Sequence, residues 1–284
     1  MKPTLYYVCF SLLCSLSFVS HVQGQIRDYD STVYNTVYIN SEVWTIENLI
    51  TDHFRNGDSI PEAQSEEEWL QFGQDKKPAF CYYEFNPANR HKYGKLYNWY
   101  AVIDLRGLAP RGWHIPRDED WKGLVQELGG VNEAGKRMKS TKGWGNLMDF
   151  SGNGTNYSEF SGLPGGILRT TDELVKFFNK GNNGYWWSST DASQPTVKKE
   201  EEVVAEKKEE AKTGAKHIAK DTKAKPAKLA KVAKPVKAEP VPPESVEILN
   251  ANNAWMFSLS ATTDKILRLS ANKMCGLSVR CVRD

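Results

Sequence analysis

The chain has 284 residues, with 37 Lys and Arg against 35 Asp and Glu, so its formal charge of +2 excludes a molecule that is polybasic or polyacidic as a whole. Its hydrophobic share of 40% and its nine Trp suffice for the core of one or two domains. No GxSxG, HExxH, Walker or dinucleotide fingerprint occurs, and His53, His91, His114 and His217 are scattered without ligand spacing.

Lys2, an uncharged apolar run over residues 5–19 and Val22-Gln23-Gly24 predict a secretory signal peptide at 1–24, cleaved before Gln25. The run is short for a membrane span, and the large Leu13 before Cys14 argues against lipidation. Residues 33–39 alternate as a strand, and Asn40-Ser41-Glu42 turns it into a second run at 43–46, giving a hairpin. Charges dominate 52–78 around an apolar island at Trp69, Leu70 and Phe72, which reads as a long surface excursion holding one helical turn. From Tyr93, the face shared by Leu96, Trp99, Tyr100 and Ile103 predicts a first helix.

Gly112-Trp113-His114-Ile115-Pro116 reads as a turn feeding a short buried strand, with His114 a structural residue bonded to backbone. Trp121, Leu124, Val125 and Leu128 form one stripe of a second helix, stopped by Gly129-Gly130 and started among Asp118, Glu119 and Asp120. A short third helix follows at 133–140, then Gly- and Asn-rich loops at 151–156 and 162–166. Strands are expected at 186–190, 254–260, 265–270 and 277–282.

Residues 195–247 differ in kind: they hold no aromatic residue and consist mostly of Lys, Ala, Glu, Pro and Val, so they are expected to be a disordered charged insertion. Within them, 211–238 carries nine Lys against the single acid Asp221, which suits contact with a polyanion. No aromatic side chains are interleaved to stack bases, so nucleic acid is not the expected partner.

Six blocks resemble one family in its expected order: VYNTVYINSEVWTIENL at 33–49, CYYEFNPANRHKYGKLYNWYAV at 81–102, GLAPRGWHIPRDEDW at 107–121, GLPGG at 162–166, WWSST at 186–190 and SVRCVRD at 278–284. That family is the Fibrobacter succinogenes major paralogous domain, made of secreted bacterial modules. The resemblance implies an α+β, C-type-lectin-like single domain with short antiparallel strands, two or three helices and long loops. Residues 25–194 plus 248–284 would build it, and 195–247 would interrupt it. One departure stands out: Arg117 occupies a place where the family usually has Ser or Thr, so Asp118 is expected to cap one residue late and less well.

Export leaves Cys81, Cys275 and Cys281 where disulfides persist. Cys81 lies in apolar AFCYY, and Leu277, Val279 and Cys281 alternate with Ser278, Arg280 and Val282, so Cys281 shares the inward face and Arg280 the outward one, which favours a bridge between Cys81 and Cys281; the pairing also looks like the long-range disulfide of C-type-lectin-like domains. Cys275 with Cys281, or three reduced buried thiols, are the alternatives. Formylglycine-generating enzymes share the implied fold, but their copper chemistry needs two cysteines just upstream of the last strand, and only Cys275 stands there.

For ligands, Asp149, Asn153, Asn156 and Glu159 cluster side-chain oxygens that would suit calcium, although the lectin sugar-binding signatures are absent. Trp186 and Trp187 cannot both face one side of a strand, so Trp186 is the candidate exposed platform. The expectation is a secreted, non-enzymatic module, periplasmic or at the surface of a Gram-negative cell, binding carbohydrate or another envelope protein without a cofactor. The alternative is a structural or assembly protein of the envelope that acts through its Lys-rich arm.

Overall fold

A computed structural model describes residues 24–39, 41–147, 150–172, 174–193 and 251–284. The signal peptide expected at 1–24, Gly24 excepted, and the insertion expected at 195–247 lie outside the described residues. No helix among the described residues is long and apolar enough to cross a membrane.

The expected hairpin is β2 (Val33–Ile39) with β3 (Glu42–Thr45), and β1 (Gln25–Arg27) adds to its outer edge. The charged stretch that follows is less loose than its composition predicts. Phe54, Ile60 and Ala63 are buried, and α1 (Glu66–Gln74) runs for nine residues from a Ser65 cap. Trp69 explains the anchoring: its indole Nε1 donates to Thr170 Oγ1 and Met274 O, both at 2.9 Å.

After β4 (Phe80–Cys81) and the single turn α2 (Arg90–Tyr93), the helix predicted from Tyr93 is broken into β5 (Leu96–Tyr97) and the single turn α3 (Trp99–Val102). Gly94 breaks it with a φ of +78°, at a spot where an added Cβ would lie 2.7 Å from that of Asn48. Lys95 is then drawn wholly inward to Thr51 O and the Asp52 carboxylate, where burial lowers its pKa to about 8. Asn98 restarts the helix by accepting from Ala101 N.

After β6 (Trp113–His114), helices α4 (Asp118–Glu127) and α5 (Val131–Met138) fall where the apolar stripe and the third-helix pattern put them. The start of α4 corrects the expected late cap. Arg117 is the cap residue; its N–H donates to the Asp120 carboxylate at 2.6 Å, and Asp118 N–H donates to Thr190 Oγ1 at 3.0 Å. A distant hydroxyl thus satisfies what a local Ser or Thr would have. His114 also departs from expectation, because it bonds two carboxylates and no backbone: Nδ1 faces Asp284 at 2.8 Å and Nε2 faces Asp120 at 3.1 Å.

The remaining strands are β7 (Asn146–Leu147), β8 (Phe150–Ser151), β9 (Ile167–Thr170), β10 (Val175–Phe178), β11 (Asn183–Asp191), β12 (Asn253–Ser260), β13 (Ile266–Asn272) and β14 (Val282–Arg283). One antiparallel sheet has the order β1-β2-β3-β14-β6, another the order β11-β12-β13, and β9 pairs with β10. Residues from both sides of the β11–β12 connection therefore share sheets.

The C-terminal run is a seam more than a strand. Leu277 N donates to Tyr97 O, Trp187 N to Ser278 O, Leu49 N to Val279 O and Thr45 N to Cys281 O, so successive residues bond to different partners. Every residue from 277 to 282 is consequently buried, not every second one. Arg280 is the costly case at 1% exposure. Its Nε donates to Asn48 Oδ1 at 2.7 Å, Nη1 donates to Thr45 O and Phe160 O, and the guanidinium lies 4.4 Å from the Phe160 ring centroid. Burial pushes its pKa down to about 9. Asn48 Oδ1 also accepts from Trp186 Nε1, while Asn48 Nδ2 donates to Tyr93 O.

The core divides around β11. Trp187 packs with Tyr97, Trp99 and Leu277 on one face, and Trp186 with Trp44, Trp121 and Phe160 on the other. Trp121 stacks on Phe257 at 4.9 Å between centroids, with 17° between planes.

Asn48→Ala removes an acceptor from Arg280 and from the Trp186 indole together. Urea titration should show unfolding free energy falling by about 2–4 kcal/mol; an unchanged midpoint would mean that the contact is idle. A second test concerns pH. The hydrogen bond to Asp120 raises the pKa of His114 above the usual histidine value, with burial opposing. That contribution is complete below about pH 6.5 and is lost as pH rises through the raised value. His114→Asn should lower the melting temperature at pH 5.5 more than at pH 8.5, by an amount worth about 0.5–1 kcal/mol.

Candidate functional site

The candidate calcium loop does not assemble as one site. Asn153 Oδ1 accepts from Trp144 N at 3.0 Å, and Asn156 Oδ1 accepts from Ser161 N at 2.7 Å, so both carbonyls serve the loop itself. Glu159 lines a separate groove with Tyr38 and Tyr157, and Asp149 lies outside the described residues. No group of three or more His, Cys, Asp or Glu among the described residues is placed to hold a metal. Trp186 is corrected as well: at 1% exposure it is core, because both faces of β11 are covered.

The three thiols are free and buried, which corrects the expected bridge between Cys81 and Cys281. Cys81 sits in a cluster with Trp69 and Leu168, whereas Cys281 packs in the main core against the β3 end. The seam supplies the long-range tie that a disulfide would have made. Burial raises the pKa of Cys81 and Cys281, and that of Cys275 to about 11.

Cys275 leads to the cleft that the sequence did not single out. A cavity of about 410 Å³ opens between the β9–β10 hairpin and the outer strand β13, with Cys275 among its lining residues. Ile167, Met256 and Ala271 give it an apolar base, and Phe178 and Tyr185 supply half-buried rings. Asn179 Nδ2 donates to Tyr185 Oη at 2.8 Å, Asn253 Nδ2 donates to Ser270 Oγ at 3.4 Å, and Asn272 Oδ1 accepts from Met274 N at 2.9 Å. Among the described residues, nothing bonds to the side-chain Oδ1 of Asn179 or Asn253 or to the side-chain Nδ2 of Asn272. The cleft therefore offers acceptors, donors and aromatic faces side by side.

The family model of the Fibrobacter succinogenes major domain matches residues 37–283, from β2 through β14. The chain belongs to that family. No curated protein and no solved structure matches it significantly.

In this member of the Fibrobacter succinogenes major domain family, the cleft residues are dispersed over β9, β10, β11, β12 and β13, so no short motif marks them. The signal open to a sequence reader was the amide density at both ends of the β11–β12 pair, Asn179, Asn182 and Asn183 on one side and Asn252 and Asn253 on the other.

Native protein should leave Cys81, Cys275 and Cys281 unreactive toward a thiol reagent, and denaturation should release all three. Reductant should leave the urea midpoint in place; a loss of several kcal/mol on reduction would instead reveal a disulfide.

Proposed function

We propose that this chain is an exported, non-catalytic binding module of a Gram-negative cell envelope, and that its β9–β13 cleft takes carbohydrate. The observation that carries this reading is the lining itself. A sugar presents hydroxyls that both donate and accept beside an apolar ring face, and the amide atoms left open among the described residues, Oδ1 of Asn179 and Asn253 and Nδ2 of Asn272, stand next to Phe178 and Tyr185 to complement both. The lone thiol supports a binding role over copper-thiolate oxidation: Cys275 is held protonated by burial, and neither Cys81 nor Cys281 lines the cleft to supply a second sulfur.

Glycan-array binding of the whole chain, of Tyr185→Ala, of Asn253→Ala and of a deletion of 195–247 tests the assignment. The two cleft substitutions should each weaken binding by about tenfold, and the deletion should keep it. Loss on deletion with no effect of the cleft substitutions would transfer recognition to the Lys-rich arm. Thiol oxidation by the copper-loaded protein would overturn the non-catalytic reading.

A further inference from the structure

A second cavity shares no lining residue with that cleft. It holds about 170 Å³ between the β1–β2 turn, the segment after β3 and the loop before β6, and three arginines line it: Arg27, Arg55 and Arg111. The arginines that pair with carboxylates elsewhere are Arg90, Arg106 and Arg268; among the described residues, none of these three does. Like charges gathered around one small space repel, and an anion is what relieves them.

The groups are also preorganised. Arg55 Nε donates to Ala109 O at 2.9 Å and Nη2 donates to Trp113 O at 2.8 Å, which fixes the guanidinium plane and leaves Nη1 without an acceptor among the described residues. Asp30 holds His53 through Nδ1, so Nε2 is the ring nitrogen available to a ligand. Asp28 is the only carboxylate in the lining, and its oxygens already accept from Thr32 N and Tyr34 Oη, at 2.9 and 2.6 Å.

Tyr29 identifies what carries the anion. Its ring lies 5.4 Å from that of His53 yet remains 58% exposed, a flat apolar face beside the cationic space. Gly57 is needed for that placement, since a Cβ there would approach Tyr29 Oη to 2.7 Å. We propose that this cavity binds a tetrahedral oxyanion, a sulfate or phosphate monoester, carried on a sugar ring that packs against Tyr29. Guanidiniums meet such oxygens with charge-assisted, paired hydrogen bonds, and the neighbouring phenol ring gives the sugar its apolar contact.

Isothermal titration of the purified chain with inorganic phosphate, inorganic sulfate, glucose 6-phosphate, glucose 6-sulfate and glucose tests this site apart from the cleft. Both esters should bind more tightly than the inorganic ions, and the affinity should fall with ionic strength. Arg55→Gln and Arg111→Gln should each weaken ester binding by about tenfold, while Tyr185→Ala in the cleft should leave it unchanged. Arg111 is exposed and, among the described residues, no hydrogen bond or ion pair of the fold depends on its side chain, so its substitution reads the site even where Arg55→Gln lowers stability. Equal affinity for inorganic phosphate and its sugar ester would overturn the carbohydrate assignment. Absence of ester binding, or wild-type binding by both arginine variants, would overturn the site.

Discussion

One buried cation constrains the arrangement of this molecule. Arg280 brings a full charge into a place with 1% exposure, and among the described residues no carboxylate pairs with it directly, Glu47 favouring the charge only from a distance. Its acceptors are neutral and come from two separate stretches, the Thr45 carbonyl with the Asn48 side chain and the Phe160 carbonyl, and Asn48 is itself held by the Trp186 indole. Removing a guanidinium from water is expensive, so those acceptors must be fixed beforehand or the charge will not enter. Burial still holds its pKa below the usual arginine value. The same contacts set the register of the C-terminal seam against the start of the chain, which a sheet ladder alone would not do, because residues 277–281 bond to successive different partners.

The second constraint follows from β11. Its two faces are spent on two tryptophan-rich clusters, so no flat sheet surface is left over for a ligand at Trp186 or Trp187. Open space is left instead at strand edges and between hairpins. Both cavities arise there: one where β9–β10 leans toward β13, the other where the first turn meets the loop before β6. In each, backbone carbonyls or neighbouring amides already hold the polar side chains, which lowers the entropy lost when a ligand arrives.

Much of the fold was legible where one local period settled the matter. The β2–β3 hairpin, the stripe Trp121, Leu124, Val125 and Leu128, and the runs that became β12 and β13 needed only alternation or helical spacing. Sequence reasoning failed wherever a distant group decided the outcome. Gly94 interrupts a plausible helix because Asn48 occupies the space beside it, and Thr190 caps α4 from 72 positions away. Arg280 looked like an outward residue of an alternating strand, since nothing local reveals acceptors more than a hundred residues earlier. The candidate oxygens at Asn153 and Asn156 were a fair reading of composition, but an Asn in a tight loop answers its own backbone first. The Fibrobacter succinogenes major domain resemblance survived these errors because it rested on the order of whole blocks.

The connection between β11 and β12 joins these themes. The chain leaves the sheet after Asp191 and returns at Asn253, and Asn253 lines the cleft. Asp191 pairs across the ladder with Ala254, its carboxylate accepts from Lys273 Nζ at 2.8 Å, and Ala192 N donates to Asn253 O at 3.1 Å. The described ends of the connection, at Ala192 and Asn253, are thus clamped by the sheet. Lys273 Nζ also donates to Ala251 O at 3.0 Å, so the clamp that holds Asp191 extends to the described residues just before Asn253 and sets that part of the cleft wall.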